Sequence, residues 1–329
     1  KNIYSASSNR MNIHKIELPT PFPVGNVNVW FIEDSLPTLI DAGVRSSKSL
    51  DVLKSGLAEV GVRLEDIKRI LLTHYHIDHA GAAGELSQIC GATVYLTPRC
   101  NDQLSNVNAH RAHYRAYMEH CGVPADILDM FRESNLRWSR FGSDWSQVNG
   151  IHLLTDGEFI ELDEARLQCL FTPGHSQDHV CFADSEKRFV FSGDHLLAGI
   201  TPNPLIFFDP ENGMARSRSL LNYLDSLKRL EAVCAAAAYG GHGADISNPQ
   251  AIIEKNLRLV DVRCNSFLTL LRSNTEMSIY EIALKHFARL HPMEVYLAVS
   301  ETIAYMDLLV QRGQAVLEEG GERIRVTAV

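Results

Sequence analysis

The feature that most limits what this chain can become is the run His74-Tyr75-His76-Ile77-Asp78-His79, four potential metal ligands within six positions. Residues 67–72 ahead of it read as a short buried strand, and residues 80–89 behind it as a helix ending near Gly91. On extended backbone, side chains two apart project to the same side, so His74 and His76 can serve one centre. The turn into the helix carries Asp78 and His79 round toward a second. Two adjacent metals need that split. The bland alternative is an accidental cluster of surface histidines, but 14 histidines in 329 residues make this pattern a rare accident.

Three later segments repeat the theme. Thr172-Pro173-Gly174-His175, Ser192-Gly193-Asp194 and Gly241-His242-Gly243 each set one ligand after a strand-like stretch, beside glycine that lets backbone come close. The strands that deliver them are read at 151–154, 158–162 and 166–171, in a hairpin of 180–183 with 188–191, and at 235–239. Earlier strands are expected at 13–18, 27–32, 38–40 and 92–96. A helix capped by Ser46 or Ser47 runs through Val60, with Leu50, Leu53, Leu57 and Val60 on one face and Gly61 past its end.

Taken together, His74, His76, Asp78, His79, His175, Asp194 and His242 resemble the complete metal-binding set of the metallo-β-lactamase superfamily. The resemblance covers residues 12–245. It implies an α+β fold, a four-layer αββα sandwich with the site at one edge. It further implies that His74, His76 and His175 hold one metal, that Asp78, His79 and His242 hold the second, and that Asp194 bridges them. Imidazole and carboxylate suit two divalent ions, zinc first, with iron or manganese also accommodated. A bridging hydroxide is then the nucleophile, and Asp78 gains a catalytic role in orienting it and taking its proton. Asp41, in Ile40-Asp41-Ala42-Gly43, matches a further family motif and is expected to orient a ligand histidine; a plain turn aspartate is the alternative. His179 is expected as a support. His195 is a candidate for substrate contact or leaving-group protonation, alongside a bland reading as a hydrogen-bonded loop histidine.

Outside these motifs, residues 101–147 read as a helical, mixed-charge insertion in the catalytic domain, 1–247. Its aromatics, Trp138 and Trp145 among them, are core or lid. His110, His113 and His120 share a helix face there, fit for solvent or pocket lining more than for a third metal. Residues 248–329 read as helices and a terminal hairpin, a small winged-helix-like domain. Its second helix, about 293–312, carries Glu294, Glu301 and Asp307 against Arg312, and the wing adds Glu318, Glu319 and Glu322. With a net charge of −9 this argues against DNA as a partner. The apolar spacing of that helix points to packing on the catalytic domain or a second subunit, hence a homo-oligomer whose C-terminal module walls the site.

Seven scattered cysteines without a C-x-x-C pair favour a reducing cytoplasm, and no apolar run reaches membrane-spanning length. Residues 1–10 are read either as a vector-derived leader before a natural start at Met11 or as native sequence. Within the family, cysteine at the position of Asp194 marks the common zinc β-lactamases, and glutamate at that of His76 marks flavodiiron proteins. Neither fits here. The C-terminal module together with Ser192-Gly193-Asp194-His195 and Tyr239-Gly240-Gly241-His242-Gly243 resembles the subgroup of lactamase-β-like hydrolases with an appended winged helix, and that resemblance leaves the substrate open. An ester or thioester of a small acyl compound is the leading expectation, consistent with the apolar stretch 200–208; a lactonase, or a phosphodiesterase or ribonuclease acting on RNA, is the alternative, and a non-catalytic metal sensor a third.

Overall fold

A computed structural model describes residues 11–209, 215–274, 276–287, 290–291 and 294–329. Residues 1–10, leader or native, and Pro210 of the proline-bearing loop lie outside the described residues.

Two sheets form the centre. The first takes β1 (Ile13–Leu18), β2 (Val27–Ile32), β3 (Thr38–Ile40), β4 (Arg69–Leu71), β5 (Thr93–Leu96) and β6 (Gly150–Leu153) in chain order. β1 to β3 pair antiparallel, and β3 to β6 pair parallel. The second contains β7 (Phe159–Glu161), β8 (Arg166–Phe171), β9 (Val180–Asp184) and β10 (Phe189–Gly193). A ribbon of β11 (Phe208–Asp209) and β12 (Ala215–Arg216) precedes β13 (Ala237–Gly240), which lies parallel to β10 and completes that sheet.

The period of two in these strands decides what faces what. Trp30 and Ile32 of the first sheet meet Leu167, Cys169, Phe182, Phe189 and Phe191 of the second in the core between them. The alternate residues Val27, Val29 and Phe31 face outward against helix α1 (Ser47–Glu59) and, beyond a four-residue α2 (Ile77–Ala80), α3 (Ala83–Cys90). Ser46 caps α1 by accepting from Ser49 N at 3.1 Å. The helix expected at 80–89 is therefore two pieces, broken after the ligand-bearing turn. Between β5 and β6 come α4 (Pro98–Ser105), α5 (Val107–His120) and α6 (Ala125–Trp138).

The outward residues of the second sheet, Leu170, Cys181, Val190 and Ala238, are covered by α7 (Ser219–Glu231) and α8 (Pro249–Arg272), completing the αββα order. The chain closes with β14 (Met277–Ser278), α9 (Ile279–His286), α10 (Val295–Gln311), β15 (Ala315–Glu318) and β16 (Arg325–Ala328). Both β14 and β15 pair with β16, so the terminal hairpin gains a third strand that its two-residue length hid in the sequence. One continuous core joins these elements to α7 and the second sheet.

One sequence argument needs correction. Glu301 and Asp307 are not surface acids of a recognition helix. Asp307 pairs with Arg216 at 2.6 Å and Glu301 with Arg263 at 2.7 Å, and α10 is buried along most of its length. Their charges hold the helix to its neighbours.

Candidate metal centre

All the predicted ligands gather where the carboxyl ends of β4, β8, β10 and β13 meet. Three ring nitrogens converge first: His76 Nδ1 lies 2.8 Å from His74 Nε2 and 3.0 Å from His175 Nε2. Asp78, His79 and His242 form a second group, with His242 Nε2 3.4 Å from Asp78 Oδ2. Asp194 stands between the groups. Its carboxylate is 3.6 Å from His175 Nε2 on one side, and 3.4 Å from His79 Nε2 and 3.6 Å from His242 Nε2 on the other.

The ligand rings are held from behind. His79 Nδ1 donates to Asp41 Oδ2 at 2.7 Å, His175 Nδ1 to the Asn203 carbonyl at 2.9 Å, and His242 Nδ1 to the Asn26 carbonyl at 2.7 Å. Each such bond keeps a proton on Nδ1 and aims Nε2 at the centre. His74 Nδ1 meets Thr73 Oγ1 at 3.0 Å, and that hydroxyl donates to Asp41. Asp41 thus serves both groups, from a left-handed backbone conformation with φ of 64°. Glycine is required at 241, where a methyl group would stand 2.5 Å from both Asp194 Oδ1 and His79 Cε1.

His179 takes the supporting place expected of it: its Nε2 accepts from Asp194 N at 3.2 Å, and its Nδ1 meets Thr172 Oγ1. His195 is fully buried, packed against the rings of His179 and Tyr223, and neither ring nitrogen has a hydrogen-bond partner. Burial lowers its pKa to about 3, with His175 adding to the shift. The histidines of the insertion do not converge: His110 pairs with Asp102, His120 reaches the Gly321 carbonyl, and His113 lies against Phe208. Sequence reasoning missed Thr73, Asn26 and Asn203. Thr73 adjoins the run and could have been suspected, but a backbone carbonyl carries no signature.

The donor set fits metal ions. His79 Nε2, His242 Nε2 and Asp194 Oδ1 are buried, face the centre and have no hydrogen-bond partner, a costly arrangement unless a cation satisfies them. The sequence profile of the metallo-beta-lactamase superfamily matches residues 22–99 and 106–242. The chain belongs to the metallo-beta-lactamase superfamily. Like other hydrolases of that superfamily, it has curated relatives named for hydrolysis. A probable metallo-hydrolase of Bacillus subtilis, YqjP, is 29% identical over 302 residues, covering 89% of this chain and 91% of the relative. An atrochrysone carboxyl ACP thioesterase of Aspergillus fumigatus is 26% identical over 67% of this chain, and the match spans 51% of that protein. Among solved structures, a metallo-beta-lactamase family protein of Thermus thermophilus superposes with a TM-score of 0.81 and 26% identity, over 96% of this chain and 98% of its own.

The two ligand groups differ in protonation. Burial pushes His74 and His175 down and takes His76 to about 3, and neighbouring histidines add to the effect on each of His74 and His76. All three rings are thereby biased toward the neutral form. Burial also opposes charge on His79, but Asp194, Asp41 and Asp78 outweigh it and raise its pKa well above the ordinary value. His242 is raised by Asp78 and Asp194 against the same burial. An ion entering the first group therefore displaces no ring proton, whereas one entering the second must. Calorimetric titration of metal-free protein in buffers of differing ionisation enthalpy should show near-zero proton release for one ion and about one or more for the other. The affinity of the second should rise between pH 6 and 8. Equal proton counts would refute the assignment.

Proposed function

We propose that this superfamily hydrolase uses two divalent ions, zinc first, to cleave an ester or thioester of a small acyl compound. The observation that carries the reading is the placement of Asp194, whose carboxylate reaches histidines of both groups. His74, His76 and His175 would hold one ion; Asp78, His79 and His242 the other, with Asp194 shared. Bound there, the ions supply Lewis acidity toward the substrate oxygen and acidify a water toward neutrality.

The chain's own groups do the rest. His76 and Asp78 are the ligands left partly exposed, so substrate comes from their side. Burial opposes charge on Asp78, yet His79 and His242 hold its carboxyl below the usual range. It is therefore ionised at neutral pH, ready to orient the attacking water and accept its proton. Asp41 and the Asn26 and Asn203 carbonyls keep the imidazoles from turning. His195, buried behind His179, is given no proton-transfer role.

The acyl assignment draws on the relative named as a thioesterase and on the apolar rim beside the exposed ligands. Phe22, Trp138 and Phe141 meet edge to face there, with ring centroids 5.6 and 6.1 Å apart around Phe22. The turn after α6 rests on Ile77, 3.6 Å from where a methyl on Gly142 would be. A turnover screen of zinc-loaded protein tests the reading, using acyl thioesters, carboxylic esters, lactones, a β-lactam and an RNA phosphodiester. Fastest turnover of the phosphodiester or the β-lactam would overturn it.

The two tryptophans of the insertion separate. Trp145 donates to Asn101 Oδ1 at 3.0 Å and packs on the core outside the first sheet, so it is structural. Trp145→Ala should cost roughly 2 to 3 kcal/mol, somewhat less than a fully buried tryptophan, with relative rates on different acyl chains unchanged. Trp138→Ala should do the reverse, shifting chain-length preference severalfold with little loss of stability. Equal behaviour of the two variants in urea unfolding and in the rate ratios would remove the rim from substrate selection.

We extend the reading to a reducing, cytoplasmic setting, since all seven cysteines are free and six are buried, and to a homo-oligomer. No described helix is long and apolar enough to cross a membrane. Because α10 is enclosed by α7, α8, α9 and β15, it has no free face for a DNA groove. Salt-sensitive retention of duplex DNA at micromolar protein would contradict that part.

A further inference from the structure

The two ligand groups are anchored to different parts of the chain. His79 is held by Asp41 and His242 by Asn26, both in the N-terminal half. His175 is held by the loop 201–205: its Nδ1 donates to the Asn203 carbonyl at 2.9 Å, and its own carbonyl accepts from Leu205 N at 3.2 Å. That loop carries Pro202 and Pro204, both buried, which narrow its backbone freedom. It is tied to the C-terminal helices at two points. Asn203 Nδ2 donates to the Leu297 carbonyl in the first turn of α10 at 3.2 Å. Thr201 Oγ1 accepts from Arg263 of α8 at 3.3 Å, and the same guanidinium pairs with Glu301 of α10 at 2.7 Å.

The same turn of α10 touches the opposite flank of this group. Tyr296 stacks on Phe131 with centroids 4.9 Å apart and meets Tyr114 at 6.0 Å. Tyr114 in turn lies beside Tyr75, the residue between His74 and His76, whose ring packs on His76 with centroids 4.7 Å apart. The first turn of α10 therefore reaches His175 through Asn203, and the His74–His76 pair through Tyr114 and Tyr75. Nothing comparable joins it to Asp78, His79 or His242 among the described residues.

We propose that the first turn of α10 is a positioning element for the His74, His76 and His175 metal centre, acting through Asn203 and Arg263. The inference rests on the two-ion reading of the site. Asn203 fixes the direction of the His175 ring because the carbonyl that takes its Nδ1 proton is pinned by its own side chain to α10. Arg263 holds the neighbouring end of the loop and the helix together. Both are positioning residues, and neither touches a reacting atom. Loosening them frees the His175 ring to rotate and leaves the second group as it is.

Cobalt(II) titration of the metal-free full chain, followed by visible absorption, reads the two centres without any substrate. His242→Ala, which impairs the second group, assigns the steps. In Asn203→Ala and Arg263→Ala, affinity for the ion held by His74, His76 and His175 should fall roughly tenfold or more, the scale on which residues supporting ligands act. The other step should stay within about twofold. Asn203→Leu keeps the approximate side-chain size, removes the donor without adding charge, and should reproduce the loss; it carries the test if circular dichroism shows the alanine variant unfolded. Unchanged cobalt binding in folded variants would overturn the proposal, as would equal weakening of both steps, which marks general loosening. A wild-type chain that takes a single ion would bring down the two-ion reading, and this inference with it. Two ions in the wild type with unaltered variants would bring down the inference alone.

Discussion

Replacing Asp78 by Asn is expected to lower kcat by about 10²-fold or more on the substrate that the screen identifies. The amide keeps the shape of the carboxylate but carries no charge and cannot accept the proton of the attacking water. Its place magnifies the change: Asp78 stands with His79 and His242 in the second ligand group, so its negative charge is part of what that group offers a cation. KM should move much less, because a group acting on the attacking water contributes chiefly in the transition state. Steady-state kinetics paired with metal analysis separates the two roles. If turnover stays near normal while two ions are retained, Asp78 is not in the mechanism. If the second ion is lost along with activity, its role as ligand accounts for the effect.

Asp41→Ala should be the most damaging change away from the ligands themselves. The side chain is buried and accepts from Thr73 N at 2.8 Å, from Thr73 Oγ1 and from His79 Nδ1 at 2.7 Å. Alanine leaves those buried donors without a partner and sits poorly at a φ of 64°. Stability of the metal-free protein should drop by about 3 to 5 kcal/mol, the scale for removing one member of a buried pair. Asp41→Asn separates orientation from folding. Its amide oxygen can still accept from Thr73, but its NH2 cannot accept from His79, so affinity for the second ion should fall about 10- to 100-fold with a smaller loss of stability. Urea unfolding and metal titration read the two quantities independently. An alanine variant as stable as the wild type would show that water replaces the carboxylate.

The sequence was most legible where local pattern and chemistry coincide. β1, β2, β3 and β8 fall on the expected residues because short runs of recurring apolar residues there are bounded by turn signals, and Ser46 caps α1 as its neighbours suggested. The residues that converge at the candidate centre were readable for a similar reason. A strand end followed by glycine leaves few other uses for a lone His or Asp. What escaped has a different character. β11, β12 and β14 are two residues long, below the length at which alternation can be seen. Glu301 and Asp307 looked like solvent-facing charges because their partners, Arg263 and Arg216, are 38 and 91 positions away. Trp138 and Trp145 could not be told apart, since only the fold puts one at a rim with Phe22 and the other over the core. The Asn26 and Asn203 carbonyls belong to the backbone, and their part in the centre depends on where the chain goes.

Each ligand group draws on both sheets. His74 and His76 follow β4 of the first and need His175 from beyond β8 of the second; Asp78 and His79 likewise need His242 from beyond β13. An unfolded chain scatters these residues, so the proposed ions would bind the folded state far better, and their chemical potential would become a source of cohesion between the layers. By mass action, free metal at a hundred times its dissociation constant adds about 2.7 kcal/mol per ion to the folded state. On the two-ion reading the melting temperature should therefore rise with the metal concentration around the protein, and a chelator should act on it as a denaturant.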